Sequence, residues 1–221
     1  MTAHNFLRQI IQQWLRSAFR RFVRTSADPG HMEIERKFFQ TQQEASQLAE
    51  KLKERGFKYI GTALMSDTFL PSAVQGEMLR VRQERMDLQE ARTILTFKQW
   101  VKTATGKERR ETERDVPPVI GLFWLLVGRF AAGHPLLGFS KRRQLYEGKL
   151  NATDAVVSID EVSGLGVYSG WYLEIEVLQP LGTDSTLLEQ QINLLANELF
   201  DTGRQPIMRS YRDMLIESTQ T

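Results

Sequence analysis

The sequence of 221 residues contains no cysteine and only three histidines, His4, His31 and His134. Without thiols the chain cannot form a disulfide, a thiolate metal centre or a cysteine nucleophile. The absence of cysteine is consistent with the reducing cytoplasm, where we expect the protein to work. The histidines fall outside the charged strand faces described below, so we do not expect a histidine to act in catalysis or to bind a metal.

The chain also lacks a long apolar run and a strong net charge. Its most hydrophobic stretch, residues 121–127, is soon followed by Arg129 and is far shorter than the roughly 20 residues that span a bilayer. Arginines interrupt the N-terminal segment, so we expect no signal peptide. The formal net charge of +2 gives no general reason to expect nucleic acid as a partner, and we expect none.

Residues 1–31 differ from the rest of the chain and predict a basic amphipathic helix with a linker. Apolar side chains recur at helical spacing from Leu7 to Phe22, and arginines between them supply the basic character. Such a helix packs on its own domain, docks on a partner or lies on an anionic membrane surface. We favour packing on the domain over membrane contact. We therefore divide the chain into this segment, residues 1–31, and a main domain, residues 32–217.

Alternating polar and apolar side chains predict eight β-strands in the main domain. Helices are predicted after the Thr41 capping box, at Pro117, from about residue 184, and over residues 210–216. Eight strands with helices between them indicate the α+β class, and eight strands are enough to close a barrel. The predicted strands are residues 32–39, 59–70, 78–84, 92–98, 108–116, 140–147, 155–161 and 171–178.

One face of almost every predicted strand carries charged side chains. In the first strand Glu33, Glu35 and Lys37 share a face, because successive side chains of a strand point to opposite sides. On an open sheet such faces would simply be solvated, whereas in a closed barrel they would line the interior. The later charged faces contain Arg80 and Arg82, Lys98, Arg109 with Glu111 and Glu113, Lys141 and Arg143, Asp160, and Glu174 with Glu176.

A barrel interior with charges of both signs is better explained by a ligand than by a structural role. Each buried ion must be desolvated, and pairing rarely offsets that loss. Clustered carboxylates without cysteine suit a hard divalent cation, Mg²⁺ or Mn²⁺. Clustered arginines and lysines suit phosphate oxygens, arginine by bidentate contact and lysine as a point charge. The pattern therefore predicts a site for a phosphate chain bound together with metal.

The spacing of Glu33, Glu35 and Lys37 resembles the Glu-x-Glu-x-Lys signature of the CYTH superfamily, the triphosphate tunnel metalloenzymes. The resemblance covers roughly residues 32–217 and implies a closed antiparallel eight-stranded tunnel. One departure is Phe69, where relatives often carry tyrosine. The companion motifs, in chain order, are Leu79-Arg80-Val81-Arg82, Leu95-Thr96-Phe97-Lys98, Arg109-Arg110-Glu111-Thr112-Glu113, Lys141-Arg142-Arg143, Asp160-Glu161-Val162-x-Gly164-Leu165-Gly166 and Leu173-Glu174-Ile175-Glu176.

The resemblance also assigns roles to the charged side chains. Glu35, Lys37 and Arg82 would be the catalytic residues. The triphosphate would be bound by Lys37, Arg80, Arg82, Lys98, Arg109, Lys141 and Arg143. Mg²⁺ or Mn²⁺ would be held by Glu33, Glu35, Asp160, Glu174 and Glu176, with Glu111 and Glu113 as further ligands.

The resemblance implies a metal-dependent phosphohydrolase that cleaves a small-molecule triphosphate, which could be inorganic triphosphate, thiamine triphosphate or a nucleoside triphosphate. A class IV adenylate cyclase, which converts ATP to cyclic AMP and pyrophosphate, is the first alternative. A non-enzymatic module that binds polyphosphate is the second. We favour hydrolysis because water is always present, whereas cyclisation needs a pocket that orients adenosine. We expect the protein to be a monomer or a homodimer.

Overall fold

The described residues of the computed structural model, 3–23, 31–72, 76–103, 106–180, 185–200 and 203–220, form eight strands and five helices. Every predicted strand and helix is present, which confirms the α+β class. The strands are β1 (His31–Gln40), β2 (Lys58–Leu70), β3 (Met78–Met86), β4 (Arg92–Thr103), β5 (Gly106–Val116), β6 (Gly138–Leu150), β7 (Thr153–Ser163) and β8 (Gly170–Pro180). The helices are α1 (Ala3–Val23), α2 (Gln42–Glu54), α3 (Pro118–Ala132), α4 (Thr186–Phe200) and α5 (Tyr211–Ser218).

The strands form one antiparallel sheet that curls into a barrel, in the order β1-β5-β4-β3-β2-β6-β7-β8. β1 pairs with β8 along its whole length, from His31 opposite Pro180 to Gln40 opposite Trp171. The junction between β1 and β5 is much weaker, because within the described residues it consists of Met32 opposite Arg110 alone. The predicted barrel is therefore present, but its β1–β5 edge is barely closed.

Local sequence signals determine where the helices begin and end. The Glu44 backbone N–H donates to the Thr41 hydroxyl at 3.2 Å, and the Thr41 N–H donates to the Glu44 carboxylate at 2.7 Å. This is the predicted capping box at the start of α2. α3 begins with Pro118 and is capped at its C-terminal end by Gly133, whose φ of 72° lies in the left-handed region that favours glycine.

Two apolar cores lie on the outer face of the barrel, between the sheet and the helices. One core includes Ile34 and Phe38 of β1, packed beneath α2 and α4. A second core includes Leu79 and Phe97, packed beneath α1 and α3. Because Ile34 and Phe38 alternate with the charged residues of β1, their burial on the outside turns the charged side chains toward the interior.

The N-terminal helix α1 is part of the packed structure. Leu15, Phe19 and Val23 are fully buried, and the rings of Phe19 and Trp124 on α3 meet edge to face at 5.0 Å. This confirms the interpretation that α1 packs on its own domain, while the division of the chain at residue 31 stays a prediction. Among the helices in the described part of the chain, none combines the length and the apolar character needed to cross a bilayer.

Candidate active site

The charged strand faces meet in the interior of the barrel, where they form ion pairs between strands that are distant in sequence. Lys98 on β4 donates to Glu33 on β1 at 3.1 Å. Lys37 on β1 lies 3.1 Å from the carboxylate of Glu174 on β8. Lys37, Lys98 and Glu174 are all buried. The interior is therefore a polar site enclosed by the sheet rather than an apolar core.

A first network joins β6, β7 and β8 around Asp160, which is fully buried. Arg143 Nε donates to Asp160 at 2.7 Å, and Lys141 Nζ donates to it at 3.1 Å. Arg143 also donates to Glu174. Burial acts to raise the pKa of Glu174, but the neighbouring Lys37 and Arg143 outweigh it and hold that pKa well below its usual range. Asp160 and Glu174 are thus already compensated by cations.

A second network is centred on Asp67 of β2, which is only 1% exposed. Arg82 donates to Asp67 at 2.7 and 2.9 Å, and Arg80 donates to it at 3.3 Å. Arg80 also donates to Glu113 on β5 at 3.0 Å. Burial acts to raise the pKa of Asp67, but Arg80 and Arg82 outweigh it and lower that pKa below its usual range. Two predicted phosphate-binding arginines are therefore held by one buried carboxylate.

A third network links β1, β4 and β5 through Lys98. Its ammonium group donates to Glu33 and also pairs with Glu111. Burial acts to lower the pKa of Lys98, but Glu111 and Glu33 raise it overall. Because one cation serves two carboxylates, Glu33 is only partly compensated. Burial raises the pKa of Glu33, Lys98 opposes this shift, and the hydrogen bond with Glu111 adds to it.

The ladder between β1 and β8 contains a pair of like charges. Glu35 lies directly opposite Glu176, an arrangement that destabilises a sheet when both are ionised. Burial raises the pKa of Glu35, and Glu174 adds to this shift although Lys37 opposes it. Burial also raises the pKa of Glu176, to about 8, with Glu33 adding to it. Glu33, Glu35 and Glu176 thus form a group with too few cations, which we call the acidic edge.

Two buried lysines of the interior differ in how firmly they hold their protons. Burial acts to lower the pKa of Lys37, but Glu174 and Glu35 outweigh it and raise that pKa to about 12. Burial and the nearby Arg143 lower the pKa of Lys141 to about 8, although Asp160 opposes the shift. Lys37 therefore holds its proton more firmly than Lys141 does.

Tyr211, the first residue of α5, packs against one end of the interior. Its hydroxyl donates to Asp160 at 3.3 Å, and its ring lies 3.8 Å from the ammonium group of Lys37. Its ring centroid is 5.2 Å from that of Phe139 and 5.3 Å from that of Tyr172. This aromatic cluster covers the charged networks at that end of the barrel.

The structure brings almost all of the predicted site residues into this one interior. Arg109 is the exception, because its side chain lies outside the described residues. His134 lies in the loop after α3 and is exposed, and the side chains of His4 and His31 lie outside the described residues. The roles assigned in catalysis, phosphate binding and metal binding stay predictions. The residues brought together are Glu33, Glu35, Lys37, Arg80, Arg82, Lys98, Glu111, Glu113, Lys141, Arg143, Asp160, Glu174 and Glu176.

Three residues of the interior were missed by sequence analysis. Asp67 is buried within the alternating pattern of β2, so the period of two could have found it. Thr96 carries no charge, although its hydroxyl accepts a hydrogen bond from Arg80 at 3.0 Å. Tyr211 lies on a helix near the end of the chain, and no strand pattern points to it.

The donor chemistry of the interior fits a hard divalent cation, because carboxylate oxygens are the ligands that Mg²⁺ and Mn²⁺ prefer. The acidic edge fits best, since the raised pKa values of Glu33, Glu35 and Glu176 mark carboxylates whose repulsion a cation would relieve. Within the described residues, no three Asp, Glu or His side chains are already arranged to hold a metal ion. Metal binding would therefore require these side chains to reorient.

Comparisons with solved structures identify proteins of the same fold. A protein from Pyrococcus horikoshii OT3 is 23% identical with a TM-score of 0.57, covering 83% of this chain and 99% of that one. A second structure is of a Hippeastrum protein that is provisionally named an adenylyl cyclase and has a dominant triphosphatase activity. It is 18% identical with a TM-score of 0.54, and the match covers 85% of this chain and 95% of that one. A Vibrio parahaemolyticus protein provisionally named an adenylate cyclase is 14% identical with a TM-score of 0.57. The match covers 85% of this chain and 99% of that one. At these identities the likeness shows a common fold.

A comparison with curated proteins found no match. The CYTH domain family model matches residues 31–210, from the first residue of β1 to the residue before α5. This span includes every strand of the barrel and every charged residue of the interior described above. The match thus extends over most of the sequence and agrees with the eight-stranded architecture. The chain belongs to the CYTH domain family.

Proposed function

We propose that this protein hydrolyses a small-molecule triphosphate inside the barrel and requires Mg²⁺ or Mn²⁺. The observation that carries the proposal is that the cation-poor acidic edge shares one interior with a cluster of basic side chains. A triphosphate chain and a divalent cation together supply the opposite charges that these two groups need. The basic side chains are Lys37, Arg80, Arg82, Lys98, Lys141 and Arg143.

The basic side chains would bind the phosphate oxygens by exchanging partners. In the structure each of these cations pairs with a carboxylate, and phosphate oxygens can replace a carboxylate as hydrogen-bond acceptors. Asp67 holds both Arg80 and Arg82, so their guanidinium groups are oriented before a ligand arrives. Such preorganisation reduces the entropy lost on binding.

The acidic edge would hold the divalent cation, with Glu174 and Glu111 next to it. Such a cation supplies charge neutralisation on the phosphate oxygens and activation of water. In-line attack by water on the terminal phosphorus builds negative charge on the oxygens of the transferred and leaving groups. Lys37 keeps its positive charge throughout, because its pKa is raised to about 12. Lys37, Arg82 and their neighbours would stabilise the developing charge.

Adenylate cyclase activity is the second candidate, because two of the fold relatives carry that provisional name. Cyclisation of ATP needs a pocket that orients the adenosine. At the Tyr211 end of the interior, Phe139 packs against Tyr211 and Phe69, with ring centroids 5.2 and 6.0 Å apart. These rings pack on one another, and hydrolysis needs only water as the second reactant, so hydrolysis is the favoured reaction.

The test incubates the purified full-length protein with inorganic triphosphate, thiamine triphosphate or ATP, in the presence of Mg²⁺, Mn²⁺ or a chelator. Orthophosphate, pyrophosphate and cyclic AMP are then resolved. If the protein is a hydrolase, orthophosphate should be released only when the metal is present. The Glu35→Gln variant should lose this activity, and the Glu161→Gln variant should keep it. Glu161 is a suitable control because it is half exposed. It follows Asp160 in β7, so its side chain points to the opposite face of the strand.

Two other outcomes would replace the proposal. Cyclic AMP formed together with an equal amount of pyrophosphate would identify a cyclase. Metal-dependent binding of every triphosphate without any turnover would identify a binding module.

A further inference from the structure

The helix α3 presents a row of large apolar side chains to solvent. Its opposite face is buried against the barrel through Gly121, Trp124 and Gly128. The exposed residues recur at intervals of three and four, so they share one face of the helix. A row of this size is unusual on a protein surface and marks an interaction site. The exposed residues are Val119, Leu122, Phe123, Leu126 and Phe130, which are between 48% and 68% exposed.

The neighbouring helix α1 extends this apolar surface. α1 packs beside α3, with Phe19 against Trp124 and the Gln12 amide donating to the Ala131 carbonyl at 3.2 Å. On its outer side α1 exposes Ile10 and Trp14, which are 45% and 53% exposed. We call the exposed apolar residues of α1 and α3 together the docking face.

The charged residues of α1 and α3 are all basic, although one of them, Arg16, is paired with Glu77. Neither α1 nor α3 contains an aspartate or a glutamate. Arg21 on α1 and Arg129 on α3 are exposed. The acidic residue that precedes α3 most closely, Asp115, lies 3.7 Å from Arg92. The docking face is therefore an apolar surface accompanied by arginines.

The charge pattern indicates which partner this surface suits. A second copy of the chain would place arginine beside arginine, and like charges across an interface oppose association. An anionic bilayer matches both properties, because apolar side chains enter the boundary between headgroups and acyl chains while arginines meet the lipid phosphates. We propose that the docking face binds the surface of membranes that contain anionic phospholipid.

The experiment measures co-sedimentation of the full-length protein with vesicles. Vesicles of phosphatidylcholine alone are compared with vesicles that also contain phosphatidylglycerol. The protein should bind the mixed vesicles preferentially, and added salt should weaken the binding. Leu122→Gln with Leu126→Gln should lower the partition coefficient by about tenfold or more, given the apolar area that is lost. Arg21→Gln with Arg129→Gln should lower it by a similar factor, about tenfold.

Matched substitutions on α4 provide the control. Leu187 and Leu194 are 69% and 61% exposed on that helix, and Leu187→Gln with Leu194→Gln should leave vesicle binding unchanged. The proposal would be overturned if the protein bound both kinds of vesicle equally. It would also be overturned if the α4 variant lost as much vesicle binding as the α3 variant. A concentration-dependent dimer that is abolished by the α3 substitutions, without vesicle binding by the wild-type protein, would instead identify the docking face as a self-association interface.

Discussion

Glu35 and Glu176 face each other across the β1–β8 ladder, and the pKa of each carboxyl is raised. On the same faces of the two strands, Lys37 lies opposite Glu174 and 3.1 Å from it. A like-charge pair thus adjoins an opposite-charge pair. Because like charges opposite each other weaken a sheet, the first pair is a local source of instability that a bound cation would remove.

We expect cation binding to depend on pH. Below about pH 8 the ligand-free protein carries a proton on Glu176, and a divalent cation must displace it. The affinity for Mn²⁺ should therefore rise with pH toward about 8, by up to about tenfold per pH unit for each proton released, and then level off. Isothermal titration calorimetry in buffers of different ionisation enthalpy would count the protons. Glu176→Gln should flatten the dependence, and an affinity that is constant over this range would contradict the assignment.

The same carboxyl should reduce the stability of the metal-free protein at high pH. A group whose pKa is raised in the folded state binds more protons when folded, so the free energy of unfolding falls as pH rises from 4.5 to about 8. Glu176→Gln should therefore stabilise the protein at alkaline pH by up to about 1 kcal/mol, the scale of cross-strand pairs. This corresponds to a rise in Tm of about 2–4 °C.

Thermal unfolding with a chelator present would check this prediction. The difference between wild type and Glu176→Gln should disappear below the unfolded pKa of 4.5, where both forms are uncharged. A variant that is less stable than the wild type at alkaline pH would show that the Glu176 carboxylate makes stabilising contacts instead.

The period of two in the strands was enough to predict the barrel and most of its charged interior. It identified the inner faces because side-chain direction along a strand depends only on local sequence. It could not show that Lys98 joins Glu33 and Glu111, since that contact depends on which strands are neighbours. Helical spacing predicted α1, but the division between its buried and exposed apolar residues depends on the position of α3, which the sequence does not reveal. Asp67 lies on the inner face of β2 by the same period of two, but it was missed because it is a single charge among apolar residues and does not repeat along that strand.

Asp67 should be important for stability as well as for orienting Arg80 and Arg82. In Asp67→Ala the guanidinium groups of the buried Arg80 and the partly buried Arg82 lose their shared acceptor. This loss should reduce the free energy of unfolding by about 3 kcal/mol. Asp154→Ala is the control, because Asp154 is 89% exposed and its pair with Lys149 is solvated. That variant should change stability by less than about 0.5 kcal/mol. Urea denaturation would measure both.

Inorganic triphosphate provides a second measurement on Asp67→Ala. Its oxygens can act as acceptors for Arg80 and Arg82, so adding it should recover part of the lost stability. A stability loss as small as that of Asp154→Ala would show that the two arginines are adequately compensated by other groups, such as Glu113.

The packing of α1 predicts that two of its aromatic residues, Phe19 and Trp14, differ in their effect on stability. Phe19 is fully buried and contacts Trp124, whereas Trp14 on the same helix is 53% exposed. Phe19→Ala should reduce the free energy of unfolding by about 3–5 kcal/mol through the cavity that it leaves. Trp14→Ala should change it by less than about 1 kcal/mol. Urea denaturation with matched measurement of triphosphate turnover would test both.

Turnover per folded molecule should stay the same in both variants, because α1 packs on the outer face of the barrel, away from the charged interior. Loss of turnover in a folded Phe19→Ala protein would show that α1 also positions residues of the interior. Equal stability changes in the two variants would contradict the observed burial of Phe19. Since three fully buried residues anchor α1, removal of the whole helix should expose the core beneath it and destabilise the domain.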